Sequence, residues 1–278
     1  MSTKALSALL CLLLLLLIGG CAKKEEAPPT EAATTEPAAP VVTPGEMVLI
    51  PAGEFTYGSS DREKPSWPEQ KINLPAYWID KYEVTNKEFL DFSVNSSYVA
   101  EGVSEGKDWR QFFNAEKARY PVVFITWNDA LAYCKSLGKR LPTEEEWEKA
   151  ARGTNGFRYP WGDKWEAGKS NTFESGLREP TAVGQYEDVS PFGVHDMLGN
   201  VQEWTSSWYK AYKGNNRPDQ NFGERYRVVR GMSSRIYGSR AFLSDRSAYL
   251  PKSLYDFGCR CAKDATPEDA AKGAAPAK

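Results

Sequence analysis

Helix grammar occurs three times in this chain and then stops. Thr85-Asn86-Lys87-Glu88 precedes Phe89-Leu90-Asp91-Phe92, Thr126-Trp127-Asn128-Asp129 precedes Ala130-Leu131-Ala132-Tyr133-Cys134, and Thr143-Glu144-Glu145-Glu146 precedes Trp147-Glu148-Lys149-Ala150-Ala151. In each, a threonine can accept from the backbone N–H three residues on, and the carboxylate there can reach back to the threonine N–H. Gly138 and Gly153 stand where the second and third helices should end. Trp127, Ala130, Leu131, Cys134 and Leu137 fall on one face of the second helix. Ahead of these helices, residues 46–58 alternate apolar and polar around Pro51-Ala52-Gly53, which predicts a hairpin, and Ala76–Lys81 predicts a further strand.

From about Arg158 onward periodicity is scarce, and Gly, Pro, Asn and aromatic residues are dense. With nine tryptophans and fourteen tyrosines in the chain, most of these rings are expected to fill the core of an irregular fold. Trp208, Tyr209 and Tyr212 lie in a polar stretch and are the candidates for a stacking surface.

The ends are of a different kind. Lys4 precedes an apolar run from Ala5 to Ile18, too short to span a bilayer. Ile18-Gly19-Gly20-Cys21 resembles a bacterial lipobox, which predicts a signal peptide at 1–20 and a diacylated Cys21. Ala22, in place of a retention aspartate, favours the outer membrane. Residues 21–45 and 264–278 are rich in Pro, Ala, Glu, Thr or Lys and read as a disordered tether and a disordered tail. The body is therefore expected at 46–263. A net charge of −2 gives no case for nucleic acid, and one histidine, His195, leaves no His-rich metal site and no Ser-His-Asp triad.

Within that body MVLIPAGEFTYGS, VTNKEFLDF, LPTEEEWEKAARG, YPWGD, FGVHDMLGNVQEW, RVVRG and GCRCA follow one another. Together they resemble the formylglycine-generating-enzyme (sulfatase-modifying-factor) family. The resemblance implies one α+β domain with little regular secondary structure, related to the C-type lectin fold. The family's enzymes oxidise a peptide cysteine with copper(I) and two thiols five residues apart, shortly after an Arg-Gly-Gly-Ser stretch. Here that stretch reads RGMSSRIYGSRA, with Met232 at the second glycine and Ile236 and Ala241 at the thiol positions. Neither side chain can hold copper or exchange electrons, so copper is not expected and formylglycine generation is disfavoured. The alternative is an oxidase of the family with a rearranged site that uses Cys259. A sulfoxide-synthase role, which in relatives needs a histidine cluster, fits less well.

The resemblance also implies a Cys134–Cys261 disulfide. Cys259 then reads as a buried free thiol, or else as a redox-sensitive residue or alternative partner of Cys134. A structural calcium ion is implied on Asp196, Gly199, Val201 and Glu203, against the plainer reading that Asp196 and Glu203 cap turns or pair with arginines. A second calcium site would start at Asn171 and Thr172, but the following residues lack its aspartate. Gln202 stands where tryptophan is common and alters the groove wall. The expected function is a membrane-anchored, non-catalytic binding or scaffold lipoprotein. Its partner would be an envelope protein or glycan, met by Arg235, Tyr237, Arg240, Arg246 and Tyr249.

Overall fold

The computed structural model describes residues 43–273; the lipobox, Cys21 and most of the tether lie outside them. In chain order the main elements are β1 (Met47–Ile50), β2 (Gly53–Tyr57), β3 (Gln70–Leu74), β4 (Tyr77–Asp80), α1 (Asn86–Ser96), α2 (Trp127–Ser136) and α3 (Glu144–Arg152). Then follow β5 (Gln202–Trp208), β6 (Arg227–Arg230), β7 (Ser247–Tyr249), β8 (Phe257–Gly258), β9 (Ala262–Asp264) and α4 (Pro267–Gly273). Between Arg152 and Gln202 only one short 3₁₀ turn interrupts the coil.

All three capping boxes form as the sequence dictates. The threonine hydroxyl accepts from the third helical N–H, and the carboxylate answers, at Thr85/Glu88, Thr126/Asp129 and Thr143/Glu146. Each contributes about 1 kcal/mol. Gly138 and Gly153 both take positive φ behind their helices. Ala130 and Cys134 of α2 are buried, whereas Leu137, expected on the same face, is about half exposed because α2 has ended before it.

The expected hairpin at 46–58 does not form. β1 pairs with β4, and β2 pairs with β3 in a separate two-stranded sheet. The chain turns a corner between sheets at Pro51-Ala52, where the Lys149 ammonium binds the carbonyls of Pro51 and Gly53 at 2.7 and 3.0 Å. The tail is likewise more ordered than expected. β9 extends the β1–β4 sheet, and α4 is capped by Thr266 and Asp269, which exchange backbone hydrogen bonds of 3.0 and 3.2 Å.

The third sheet has the order β7-β6-β5-β8, with β8 parallel to β5. Two large apolar clusters fill most of the body, and a small third joins Phe55, Tyr57 and Tyr212. Of the large two, one surrounds Phe89, Trp109, Trp204, Phe257 and the Cys134–Cys261 disulfide; the other surrounds Ile79, Trp147, Tyr159 and Leu243. Large rings do pack the irregular half. The disulfide closes a loop with a sequence separation of 127 and joins α2 to the terminal strand. By loop closure alone it stabilises by about 4–5 kcal/mol. No helix among the described residues is long and apolar enough to cross a membrane.

Candidate functional site

The segment Arg230–Ala241 leaves the end of β6. Arg230 is fully buried and is held by the carboxylates of Glu144 and Glu148 and by the carbonyls of Leu243 and Ser244. Glu148 also accepts from the Gly58 N–H at 2.7 Å. Gly231 (φ 103°) packs so close that a Cβ there would lie 3.2 Å from the Trp147 ring. Met232 holds a left-handed φ of 74°, a conformation that costs a side chain about 1–2 kcal/mol.

The segment then comes to the surface. Arg235, Ile236, Tyr237 and Arg240 are exposed. The Tyr237 ring lies 4.2 Å from Phe173, with Arg240 over Tyr237 and Arg178 over Phe173. Arg235 reaches Asp256 at 3.4 Å. The neighbouring Tyr255 contacts half-buried Tyr249. Glu174 pins the segment from below, accepting from the N–H groups of Gly238 and Ser239, both at 3.0 Å. Burial works against its charge, but the bonds from Ser239 and Thr172 outweigh it and hold the carboxyl near 2.

Ile236 is exposed and Ala241 is buried, so the two positions expected to correspond to the thiols face different surroundings. Cys259 does not replace them. It is fully buried against the disulfide cluster, and burial, with Glu203 adding to it, pushes its thiol well above the usual range. A thiol so placed stays protonated, which removes the nucleophile that a rearranged oxidase would need.

Arg246 is a correction to the expected surface. It is buried, bonded to Glu144 at 2.7 Å and to the Lys210 carbonyl, and its guanidinium lies 4.4 and 4.5 Å from the Tyr209 and Tyr212 rings. Tyr209 and Tyr212 are buried with it, because three rigid planar groups satisfy one another there better than water would. Of the three stacking candidates only Trp208 stays partly exposed, with Arg227 3.3 Å over its ring. The sequence reading missed Phe173, Arg178 and Glu174, which no local motif flags.

The loop after His195 winds tightly, with positive φ at Asp196, Gly199 and Asn200. Asp196 accepts from the Gly184 N–H at 2.7 Å and donates its own N–H to Asp188 at 2.9 Å. Glu203, on β5, accepts from Arg260 at 2.7 and 2.8 Å and from the Trp147 indole at 2.9 Å. Glu83 accepts from the Val201 N–H at 3.2 Å and from Asn200.

Four buried carboxylates, Glu83, Asp188, Asp196 and Glu203, thus surround one guanidinium, Arg260. Burial first, and for Glu83 and Asp188 the neighbouring carboxylate charge next, raises both well above the ordinary range; Asp196 rises to about 6. Among the described residues no three His, Cys, Asp or Glu side chains gather closely enough to hold a metal by side chains alone. The expected set of two carboxylates and two carbonyls makes no such demand. Asn171 spends its amide on Glu179, Thr181, Asn200 and Ser175, as a structural residue would.

Comparisons with known proteins agree with this geometry. A family profile described as the sulfatase-modifying factor enzyme 1-like domain matches residues 32–265. The inactive C-alpha-formylglycine-generating enzyme 2 of Bos taurus is 33% identical, over 79% of this chain and 88% of that protein. The formylglycine-generating enzyme of Mus musculus is 32% identical, over 80% and 76%. A Chlamydia trachomatis protein named serine/threonine-protein kinase Pkn1 is 34% identical over 79% of this chain, which spans only 38% of that larger protein. Among solved structures, Treponema denticola variable protein 1 superposes with a TM-score of 0.64 at 20% identity, covering 79% of this chain and 95% of that one. PvdO from Pseudomonas aeruginosa gives 0.60 at 24%, covering 79% and 94%. These two likenesses concern the fold alone.

Proposed function

The chain belongs to the sulfatase-modifying factor family, as a single domain of the C-type-lectin-related fold, and we propose that it is a non-catalytic member that recognises a protein partner in the cell envelope. The observation that carries this reading is the state of Arg230–Ala241. The thiol positions hold Ile236 and Ala241, yet the segment is built firmly, with Arg230 below and Glu174 beside it. It presents Arg235, Tyr237 and Arg240 outward, residue types that combine rigid apolar area with directed donors. A relative already carries the description inactive, so loss of the chemistry has a precedent in the family.

In this reading Cys21 is lipidated and tethers the domain to the outer membrane. The test is in-cell crosslinking of the tagged full chain, followed by mass spectrometry. One abundant envelope protein, lost when Arg235, Tyr237 and Arg240 are all changed to alanine, is the expected result. An unchanged crosslink pattern in that variant overturns the proposal. A glycan as the principal partner would appear instead as retention on cell-wall material that no protein crosslink accompanies.

We also propose a structural calcium ion held by the carboxylates of Asp196 and Glu203 and the carbonyls of Gly199 and Val201. A divalent cation beside Asp196 would relieve the carboxylate crowding that, after burial, raises Glu83 and Asp188, and oxygen donors suit calcium; Glu203 would then share its oxygens between the ion and Arg260. Bound there, the ion would hold a coil-rich loop. Thermal melts in calcium and in EDTA, with equilibrium dialysis for binding, test it. A calcium-dependent rise of several degrees, absent in Asp196→Ala, is expected. Identical melts and no retained calcium overturn it.

A further inference from the structure

A cleft of about 490 Å³ lies away from the recognition segment. Its walls are the first turn of α3 (Glu144, Glu145), the far end of β5 (Ser206–Trp208), the following Lys210–Lys213 stretch, and the β2–β3 hairpin at Tyr57 and Gln70. Its size suits a small organic ligand. None of Arg235, Tyr237, Arg240 or Tyr249 lines it.

The wall charges are largely spent on one another. Glu144 is bonded to Arg246, Arg230 and the Tyr212 hydroxyl, and Lys210 to Glu224 at 2.6 Å. Among the buried groups of the wall, one hydroxyl is left over. Tyr57 is 97% buried, with its ring 4.5 Å from Tyr212, and its hydroxyl has no hydrogen-bond partner. An unsatisfied buried hydroxyl costs about 1–3 kcal/mol, so a ligand hydroxyl that reaches it from the cleft gains by bonding it. Glu145 stands beside it, raised above its ordinary range by burial and then by Glu144, with a backbone hydrogen bond and one from Thr143 opposing the rise. Trp208 supplies aromatic surface at the rim, its ring backed by Arg227.

We propose that this cleft binds an uncharged saccharide. The ring's C–H face would lie on Trp208, and its hydroxyls would meet the Tyr57 hydroxyl and the Glu145 carboxyl. Counting Glu224 on Lys210, the basic groups Lys210, Lys213 and Arg246 meet the acidic groups Glu144, Glu145 and Glu224, so no large net charge selects an anion or an amine. A hydroxyl without a partner, a carboxyl and an indole are the groups that a polyhydroxylated ring satisfies together. This site is independent of the protein-recognition proposal, since the two share no residue.

The test is calorimetric and tryptophan-fluorescence titration of the full chain. The probes are neutral hexoses, N-acetylhexosamines and their short α- and β-linked oligomers. At least one is expected to bind and to perturb tryptophan emission. Tyr57→Phe should weaken it about tenfold without lowering the melting temperature, since it removes a hydroxyl that bonds nothing in the free protein. Trp208→Ala should weaken it further, and Arg235→Ala should leave it unchanged. The proposal is overturned if no probe binds the unaltered chain, if binding survives both Tyr57→Phe and Trp208→Ala, or if Tyr57→Phe lowers the melting temperature and so marks the hydroxyl as structural.

Discussion

Arg230 and Arg235 are five residues apart in one segment, and they live in opposite regimes. Arg230 is fully buried between Glu144 and Glu148, while the Arg235 side chain is 65% exposed and touches one carboxylate at 3.4 Å. The first belongs to a charge network that ties α3, β6 and the β2 corner together. The second belongs to a face whose rings and guanidiniums point to solvent. One segment can thus be anchored as firmly as the core at one end and present free side chains at the other, which is what the proposed recognition role requires of it.

Removing the buried arginine should have the largest effect. Arg230→Met removes the cation that Glu144 and Glu148 share; each keeps one other arginine, Arg246 and Arg152, so the loss should fall at or below the lower end of the about 3–5 kcal/mol that breaking a buried pair on one side costs. Denaturant melts should show that loss or fail to find a folded state. If Arg230→Met is neutral, the network is not what supports the segment.

Glu174 joins the two regimes, so its effect should be intermediate. Glu174→Gln weakens the bonds to the Gly238 and Ser239 N–H groups, at about 1 kcal/mol or less, since the carboxylate is exposed and solvent screens it. The folded carboxyl is depressed, to about 2. Its stabilisation is therefore fully present above its unfolded value, near 4.5, and is lost as pH falls through that value toward 2. Amide exchange at residues 238 and 239 should quicken in Glu174→Gln and, in the unaltered chain, across that acid range. Protection that is unchanged in both would mean that the segment is held from Arg230 alone.

What the sequence made legible follows the reach of each interaction. The three capping boxes span three residues, and all were readable; so, in hindsight, was Thr266-Pro267-Glu268-Asp269, hidden by a tail composition that reads as disorder. Alternation at 46–58 marked strands correctly but could not name their partners, and β1 and β2 enter different sheets. Motif order carried the family and the disulfide. Arg246 and Arg235 are the same residue type eleven positions apart, and contacts with Glu144, 102 residues away, and with the Tyr209 and Tyr212 rings bury one of them. Glu83 likewise reaches the 196–203 loop across 117 residues. No local pattern encodes such pairings.

The exposed face should give the smallest effect on stability, and that near-absence is itself informative. Arg235, Tyr237 and Arg240 are each at the surface, and surface changes away from caps and networks usually fall within about 0.5 kcal/mol. The Tyr237–Phe173 contact and the Arg240 guanidinium over the ring add a little to that, and the Arg235–Asp256 pair adds little because it is long and solvated. The triple alanine variant should therefore melt within a few degrees of the unaltered chain while losing its envelope crosslink. A large drop in melting temperature would move these residues to Arg230's side of the comparison. The crosslink loss would then report unfolding, and the segment would be framework throughout.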